Sequence, residues 1–165
     1  MVELLMVLAI FSLLASLASQ PLITLLENHR ASSNLTQLYH LLEYSRQQAV
    51  TRRQIVTVCP SLDGISCTDD WSAPLVSFTD RNGDEIINAT DQLLRQLKLA
   101  VDRQQIIMRA SANRKFLQFK PSGVSNGIAG SLMICEKSHS YYPTRLVISL
   151  TGRISLKNIH FKSPC

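Results

Sequence analysis

The chain begins with a long run of uncharged, mostly apolar residues. The 23 residues from Leu4 to Leu26 include no charged side chain, and Glu3 is the only charged residue before them. A helix needs about 20 predominantly apolar residues to cross the hydrocarbon core of a bilayer. The run therefore predicts a helix over residues 1–26 that is buried in a membrane or among other apolar helices, outside any soluble core.

A secretory signal peptide is the alternative interpretation of this run. Signal peptides place a basic segment before the apolar stretch and a small-residue cleavage site after it. The residues from Ala15 to Ser19 are small enough for cleavage, but no basic side chain precedes the run. The sequence therefore favours a retained transmembrane anchor.

The helical pattern continues beyond the apolar run. Apolar or small residues recur at steps of three and four, whereas Asn34 falls outside their stripe. Pro21 would kink a membrane helix without ending it. We predict one helix from about Glu3 to Thr51, roughly 70 Å long, with an amphipathic second part over residues 27–53. The stripe consists of Leu35, Leu38, Leu42, Ser45 and Ala49.

The remainder, residues 54–165, has the pattern of a β-rich domain. Its apolar and β-branched runs are short and are separated by turn residues. The segment Leu93–Ala100 suits a short helix or a strand. The predicted fold class is α+β, with the long helix packed on a mostly antiparallel sheet. The strand candidates are Gln54–Cys59, Leu75–Thr79, Gln105–Arg109, Lys115–Phe119, Leu132–Cys135, Arg145–Leu150 and Arg153–Leu156.

Charge is distributed unevenly along the chain. Residues 1–94 carry five basic and ten acidic side chains, a net charge of −5, whereas residues 95–165 carry twelve basic and two acidic ones, a net charge of +10. A block this basic concentrates positive potential on the face that it occupies. Two interpretations stay open: a solvated surface that the acidic half partly neutralises, or a face that binds a polyanion.

The chain has four cysteines, and none has the spacing of a zinc site. Cys59 and Cys67 enclose a short, turn-like stretch and are the natural local pair. Cys135 and Cys165 would then tie the end of the chain to the domain, where terminal residues otherwise fray. An even count beyond a membrane segment indicates an oxidising compartment. Four reduced, buried cysteines are the alternative.

The sequence contains no motif for hydrolysis, zinc-dependent catalysis or phosphate binding. Asp80, Asn82 and Asp84 alternate as calcium ligands do, but the glycine of this segment is not at the sixth position that a calcium loop requires. Asn82-Gly83 instead favours a tight hairpin turn. We therefore predict no enzymatic activity, catalytic residue, cofactor or metal.

Glu3 is the residue that most needs a functional explanation. A carboxylate at the edge of an apolar helix costs several kcal/mol if it is ionised in lipid. It lies either at the headgroup level or opposite a positive charge on another subunit. The second alternative would make the chain a polymerising membrane protein.

The first ten residues, Met1–Ile10, resemble the start of type IV pilin helices, which Gly-Phe-Thr normally precedes. The rest of the chain resembles minor pilins and pseudopilins of the GspH/FimT/FimU family. Within that family, the cysteines and Thr151-Gly-Arg153 favour the FimT/FimU type over the secretion-system GspH type. The other motifs that support the resemblance are Ala49–Arg53, Val56–Ser61, Asp63-Gly64, Cys67, Trp71, Phe78–Asp84, Phe119–Gly123, Cys135, Leu146–Ser149 and Cys165.

The resemblance implies a single-pass inner-membrane protein with a periplasmic domain. Such proteins join a filament whose core is formed by the N-terminal helices of the pilins, their partners. Glu3 matches the family's intramembrane glutamate, which is thought to pair with a neighbour's N-terminal amine. Prepilin peptidase processes and methylates the Gly-Phe-Thr site, which is absent here. Either the true start lies upstream and the peptidase is a further partner, or the chain is not processed in the usual way.

FimT-type members are implicated in binding DNA for uptake through a basic tail that follows Gly-Arg-x-Arg. Gly152-Arg153 fits this motif, but Ser155 stands where its second arginine would be. Without an aromatic array, binding of double-stranded DNA would be to phosphates and indifferent to sequence. The candidate contacts are Arg114, Lys115, Lys120, Arg145, Arg153, Lys157 and Lys162.

Three functions follow from these patterns. The chain is a structural minor pilin of a type IV pilus, a pilin that binds DNA during uptake in natural transformation, or a pseudopilin H of a type II secretion system. The first two are compatible with each other.

Overall fold

The computed structural model describes residues 2–102, 104–111, 116–136 and 141–158. A single helix, α1, covers Val2–Arg52 and continues through Pro21, which confirms the predicted continuous helix. All five residues of the predicted stripe are buried. Asn34, which lies outside the stripe, is buried as well, so the contact face of the helix is wider than its apolar residues indicate.

Eight strands follow the helix and form two antiparallel sheets of four strands each. The first sheet has the order β3-β2-β1-β5 and the second the order β4-β6-β7-β8. The ambiguous segment after residue 92 is a strand, and the α+β class is confirmed. The strands are β1 (Val56–Pro60), β2 (Leu75–Thr79), β3 (Leu93–Leu97), β4 (Gln104–Ala110), β5 (Leu117–Phe119), β6 (Gly130–Glu136), β7 (Tyr141–Ile148) and β8 (Ile154–Asn158).

Helix α1 packs against both sheets and forms one main core with them. Leu38 and Leu42 of α1 are completely buried in this core. Every buried residue of the described chain lies between Glu27 and Ile154. The part of the chain from Glu27 onward therefore contains every residue that is described as buried, and it has what it needs to fold as a unit.

A second, smaller cluster lies on the face of the first sheet that points away from α1. It contains Cys59 and Phe78. Two connections, residues 61–74 and 80–92, fold over this cluster, and we call them the loop layer. The amide of Ile87 donates a hydrogen bond of 2.9 Å to the carbonyl oxygen of Ile65, so the two connections are joined to each other.

The prediction of a tight hairpin at Asn82-Gly83 is wrong. Gly83 does have a positive φ of 73°, but the link from β2 to β3 runs over residues 80–92. Asp80 causes the difference: its buried carboxylate accepts hydrogen bonds from the amide of Gly83 (2.7 Å) and the hydroxyl of Thr57 (2.9 Å), which holds the loop over the sheet. Within the described residues, no group of three side chains could hold a metal ion.

Candidate functional site

The N-terminal part of α1 exposes a long apolar surface around Glu3. Glu3 lies in the first turn of the helix, where a negative charge interacts favourably with the helix dipole. A contiguous exposed apolar surface of this kind marks contact with lipid or with another protein. Its exposed large side chains are Val2, Leu4, Leu5, Met6, Val7, Leu8, Ile10 and Phe11.

No helix among the described residues has both the length and the apolar character that a membrane span requires. The assignment of residues 1–26 to a membrane anchor stays a prediction.

The surroundings of Glu3 decide what its carboxylate can do. Among the described residues, no basic side chain lies within 4.0 Å of it. If the apolar surface is covered by other helices, an ionised carboxylate there needs a counter-charge from another chain, because an unpaired buried charge is strongly destabilising. Pairing with a neighbour's terminal amine is consistent with this geometry and stays a prediction.

The hairpin of β7 and β8 brings two of the predicted basic residues together. Arg145 and Lys157 are directly opposite each other in the register of the two strands, and both are exposed. Opposed residues of antiparallel strands have Cβ atoms about 4.5–5.5 Å apart, and like charges there repel. Among the described residues, neither side chain has an acidic partner within 4.0 Å. A bound anion would therefore relieve a repulsion that the hairpin contains.

The basic surface extends along β8. Alternate residues of a strand point to the same face, so Ser155 and Lys157 share one side of β8, and Arg153 is the exposed residue directly before the strand. Ser155 lies between the two basic residues, which is the position that the second motif arginine would occupy. Lys120 is exposed at a turn that contacts the β7–β8 turn, because Gly123 packs against Gly152. The other predicted contacts, Arg114, Lys115 and Lys162, lie outside the described residues.

A buried polar cluster, which the sequence did not predict, joins α1 to the connection before β4. Asn34 donates hydrogen bonds to the carbonyl oxygen of Ala100 (2.8 Å) and to Oε1 of Gln104 (3.3 Å). Gln104 in turn donates to the carbonyl oxygen of Glu27 at 3.0 Å. The cluster fixes the helix to the domain at the point where the core begins. An asparagine and a glutamine 70 positions apart give no signal in a sequence.

The loop between Cys59 and Cys67 is closed by a disulfide and contains its own hydrogen-bond network. The two cysteines form a disulfide with a Cα–Cα distance of 5.6 Å, as predicted. Inside the loop, Asp63 accepts hydrogen bonds from the hydroxyl and amide of Ser66 (2.6 and 2.9 Å) and from the amide of Ile65 (2.8 Å). These donors, the Ser66 hydroxyl first, hold the pKa of Asp63 well below its usual range.

The second predicted disulfide is only half within the described residues. Cys135 is buried and has no free thiol. Cys165 lies outside the described residues, so the Cys135–Cys165 pairing stays a prediction.

A long N-terminal helix packed on antiparallel sheets, with an exposed apolar start, defines the class of pilin-like subunits. Residues 34–152 match the family described as "Type II transport protein GspH". The chain therefore belongs to the GspH family of minor pilins and pseudopilins, as the sequence resemblance implied. Its members are structural subunits that assemble with other pilins and are not enzymes.

Two kinds of solved structure share the fold. The type IV minor pilin FimU of Pseudomonas aeruginosa (strain PAO1) is 22% identical, with a TM-score of 0.63 over 79% of this chain and 90% of that chain. The minor pseudopilin EpsH from the Type 2 Secretion System of Vibrio cholerae is 16% identical, with a TM-score of 0.55 over 78% of this chain and 97% of that chain. No curated protein sequence matches the chain. At these identities the likeness establishes the fold alone.

Proposed function

We propose that the chain is a minor subunit of a type IV pilus. Residues 1–26 anchor it in the inner membrane as a single pass, with the domain of residues 54–165 in the periplasm, until it enters the filament or its tip. The apolar surface around Glu3 is the observation that supports assembly into a filament through the N-terminal helices. The described apolar side chains between Val2 and Phe11 are exposed in the monomer, and bundled N-terminal helices would cover them.

The alternative is a pseudopilin H of a type II secretion system, which has the same helix. The Cys59–Cys67 disulfide and Thr151-Gly-Arg153 favour the pilus, because the resemblance links this pattern to the FimT/FimU type. Deletion of the gene in its native host separates the two functions. We expect reduced surface piliation with normal secretion of exported enzymes. Normal piliation with a secretion defect would contradict the pilus assignment, and the genes beside this one provide an independent check.

DNA binding during uptake is a second candidate function, and the opposed pair Arg145 and Lys157 favours it. Together with Arg153 and Lys120 the pair offers about four phosphate contacts. On duplex DNA, four contacts predict a log–log salt dependence with a slope of roughly −3 to −4. The affinity of one domain would be weak, about 10⁻⁴–10⁻⁶ M, but further DNA-binding pilins on the same fibre would raise it by avidity.

The test is a titration of residues 27–165 with duplex DNA at several salt concentrations. Arg153→Gln with Lys157→Gln should weaken binding to every DNA sequence alike and flatten the slope by about two. Arg81→Gln with Lys98→Gln removes the same number of charges elsewhere and should bind like wild type. Ser155→Arg, which restores the motif arginine, should steepen the slope by about one.

Absence of binding at low salt, or equal losses in the two double variants, would leave the hairpin as an ordinary solvated surface. The pilus-subunit proposal does not depend on the outcome.

A further inference from the structure

A groove of about 420 Å³ lies between helix α1 and strand β3. Leu41 of α1 and Leu97 of β3 line it with apolar surface, and Tyr44 and Arg95 contribute polar groups. The groove therefore places aliphatic side chains and a positive charge within one cavity. Clefts that bind ligands commonly have this composition, a mostly apolar lining with a few polar groups.

The register of the first sheet places the two β3 side chains in this groove. Arg95 is opposite Ser77 of β2, and the Ser77 hydroxyl lies 2.7 Å from the hydroxyl of Ser45 on α1. Opposed residues of paired strands point to the same face, and so do alternate residues of one strand. Arg95 and Leu97 therefore lie on the α1 side of the sheet, and the loop layer covers its other side.

Strand β3 is also an open edge of the first sheet. It pairs with β2 along one side only. Within the part of the chain that the structure describes, no other backbone or side-chain group hydrogen-bonds to the backbone of Leu93–Leu97. An edge of this kind presents a row of backbone donors and acceptors to which an extended segment of another chain can add a strand.

Two other edges of the sheets are already covered. At β5, the amide of Asn126 donates a hydrogen bond of 2.9 Å to the carbonyl oxygen of Gln118. At β4, the amide of Ile106 donates a hydrogen bond of 3.0 Å to the hydroxyl of Ser72. The open edge of β3 is therefore a particular feature of the strand that borders the groove.

Arg95 gives the groove a positive charge that no described side chain neutralises. Its guanidinium carbon lies 5.6 Å from the ring centroid of Tyr44, a cation–π contact that positions the side chain. Glu43 lines the groove but is paired with Arg46 at 3.7 Å, and no described acidic group lies within 4.0 Å of Arg95. A carboxylate on an occupant would form a charge-assisted hydrogen bond with this guanidinium.

We propose that the groove binds an extended, acidic segment of a different pilin-type subunit, which adds a strand to the open edge of β3. The backbone of the segment pairs with β3, its carboxylate lies at Arg95, and an apolar side chain contacts Leu41 and Leu97. In this mode of recognition the main-chain hydrogen bonds supply affinity, and the side-chain contacts supply specificity.

A different subunit is the occupant because members of this family assemble with other pilins. A neighbour that packs against the apolar start of α1 is placed beside the same helix that forms the groove. The choice of partner therefore rests on the proposed function, whereas the mode of binding rests on the groove alone.

The experiment measures binding of labelled residues 27–165 to an array of short overlapping peptides. The peptides cover the other pilins and the pseudopilins of the native host, together with this chain itself. The peptides that bind should come from a different pilin-type subunit and should carry Asp or Glu among apolar or β-branched residues. Fluorescence anisotropy in solution then gives the affinity of the best peptide.

Two variants of the domain test the role of the charge. Arg95→Glu should weaken binding of the best peptide at least about tenfold, and a peptide with Lys in place of its acidic residue should bind this variant better than it binds wild type. Arg95 is exposed, so the substitution is compatible with folding. Lys98→Glu is the matched control, because Lys98 is exposed directly after β3 and does not line the groove. It should bind like wild type.

N-methylation of the peptide backbone tests the added strand without altering the domain. Alternate residues of a strand direct their N–H groups to opposite sides. Methyl groups on one alternating set of residues should therefore abolish binding, whereas methyl groups on the other set should be tolerated.

No binding by any peptide, binding only to peptides of this chain, equal effects of Arg95→Glu and Lys98→Glu, or equal effects of the two methylated sets would each overturn the proposal. Binding only to pseudopilin peptides, with the expected dependence on Arg95, would support the groove and contradict the pilus assignment. The two proposals can therefore fail separately.

Discussion

Substitution of Gly152 by alanine tests the contact that joins two distant turns. Gly152 has a φ of +78°, and a Cβ there would overlap the carbonyl oxygen of Gly123 and lie 3.2 Å from Cα of Val124. Alanine in a left-handed conformation costs about 1–2 kcal/mol, and overpacking against backbone adds about 1–3 kcal/mol. The backbone of Gly123 has little room to yield, since its carbonyl also accepts a 2.9 Å hydrogen bond from Arg46.

We therefore expect Gly152→Ala to lower the free energy of unfolding by about 2–5 kcal/mol, which lowers the Tm of residues 27–165 by roughly 10 °C. Thermal unfolding followed by circular dichroism measures the shift. Gly127→Ala is the matched control, because Gly127 has a φ of +74° but nothing within 4 Å of the position that a Cβ would take. It should lose only about 1–2 kcal/mol. Equal Tm shifts for the two variants would refute the close approach of the two turns.

Three further predictions test other parts of the domain. Asp63→Asn should lower the Tm at pH 7, because folding lowers the pKa of the Asp63 carboxyl group. The stability that the ionised carboxylate contributes is present above its unfolded pKa of about 3.9 and is lost as the pH falls toward its folded pKa. The difference in Tm between wild type and variant should therefore shrink in acid. Asn34→Ala should cost about 1–3 kcal/mol in urea unfolding, since it leaves buried partners without a hydrogen bond. Cys165→Ser should lower the free energy of unfolding by about 3–4 kcal/mol, because the predicted Cys135–Cys165 disulfide closes a loop of roughly 30 residues. Peptide mapping without reduction should find this disulfide, and a free Cys165 or a Cys59–Cys135 disulfide would contradict the prediction.

The sequence predicted the elements whose signals are local. The stripe that includes Leu35 and Leu42 has the helical period over many turns, and it predicted the buried face of α1. The β-branched run at Leu75–Thr79 predicted a strand with the bounds that β2 has. Cys59 and Cys67 are close enough in sequence for a turn to bring them together, and the predicted pair forms.

Features that depend on distant residues were not predictable. The Asn82-Gly83 pair signals a tight turn, but Asp80 binds Thr57 on the neighbouring strand and fixes a longer loop. The division into two sheets follows from strand order, which no local pattern encodes. For the candidate site, the basic residues of the hairpin were identified, whereas the pairing of Arg145 with Lys157 is a consequence of register that only the structure reveals.

The most direct test of the pilus-subunit assignment is the amount of this chain in sheared, purified pili from its native host, measured by mass spectrometry. Wild type should be present as a minor component. Glu3→Ala and Glu3→Gln should stay in the membrane fraction at normal levels and be strongly depleted from the filaments, because neither can pair with a neighbour's positive charge. Leu4→Ala, which shortens an adjacent exposed side chain without changing the charge, should enter filaments as wild type does. A wild-type chain absent from the pili, or Glu3 variants present at wild-type levels, would contradict the account.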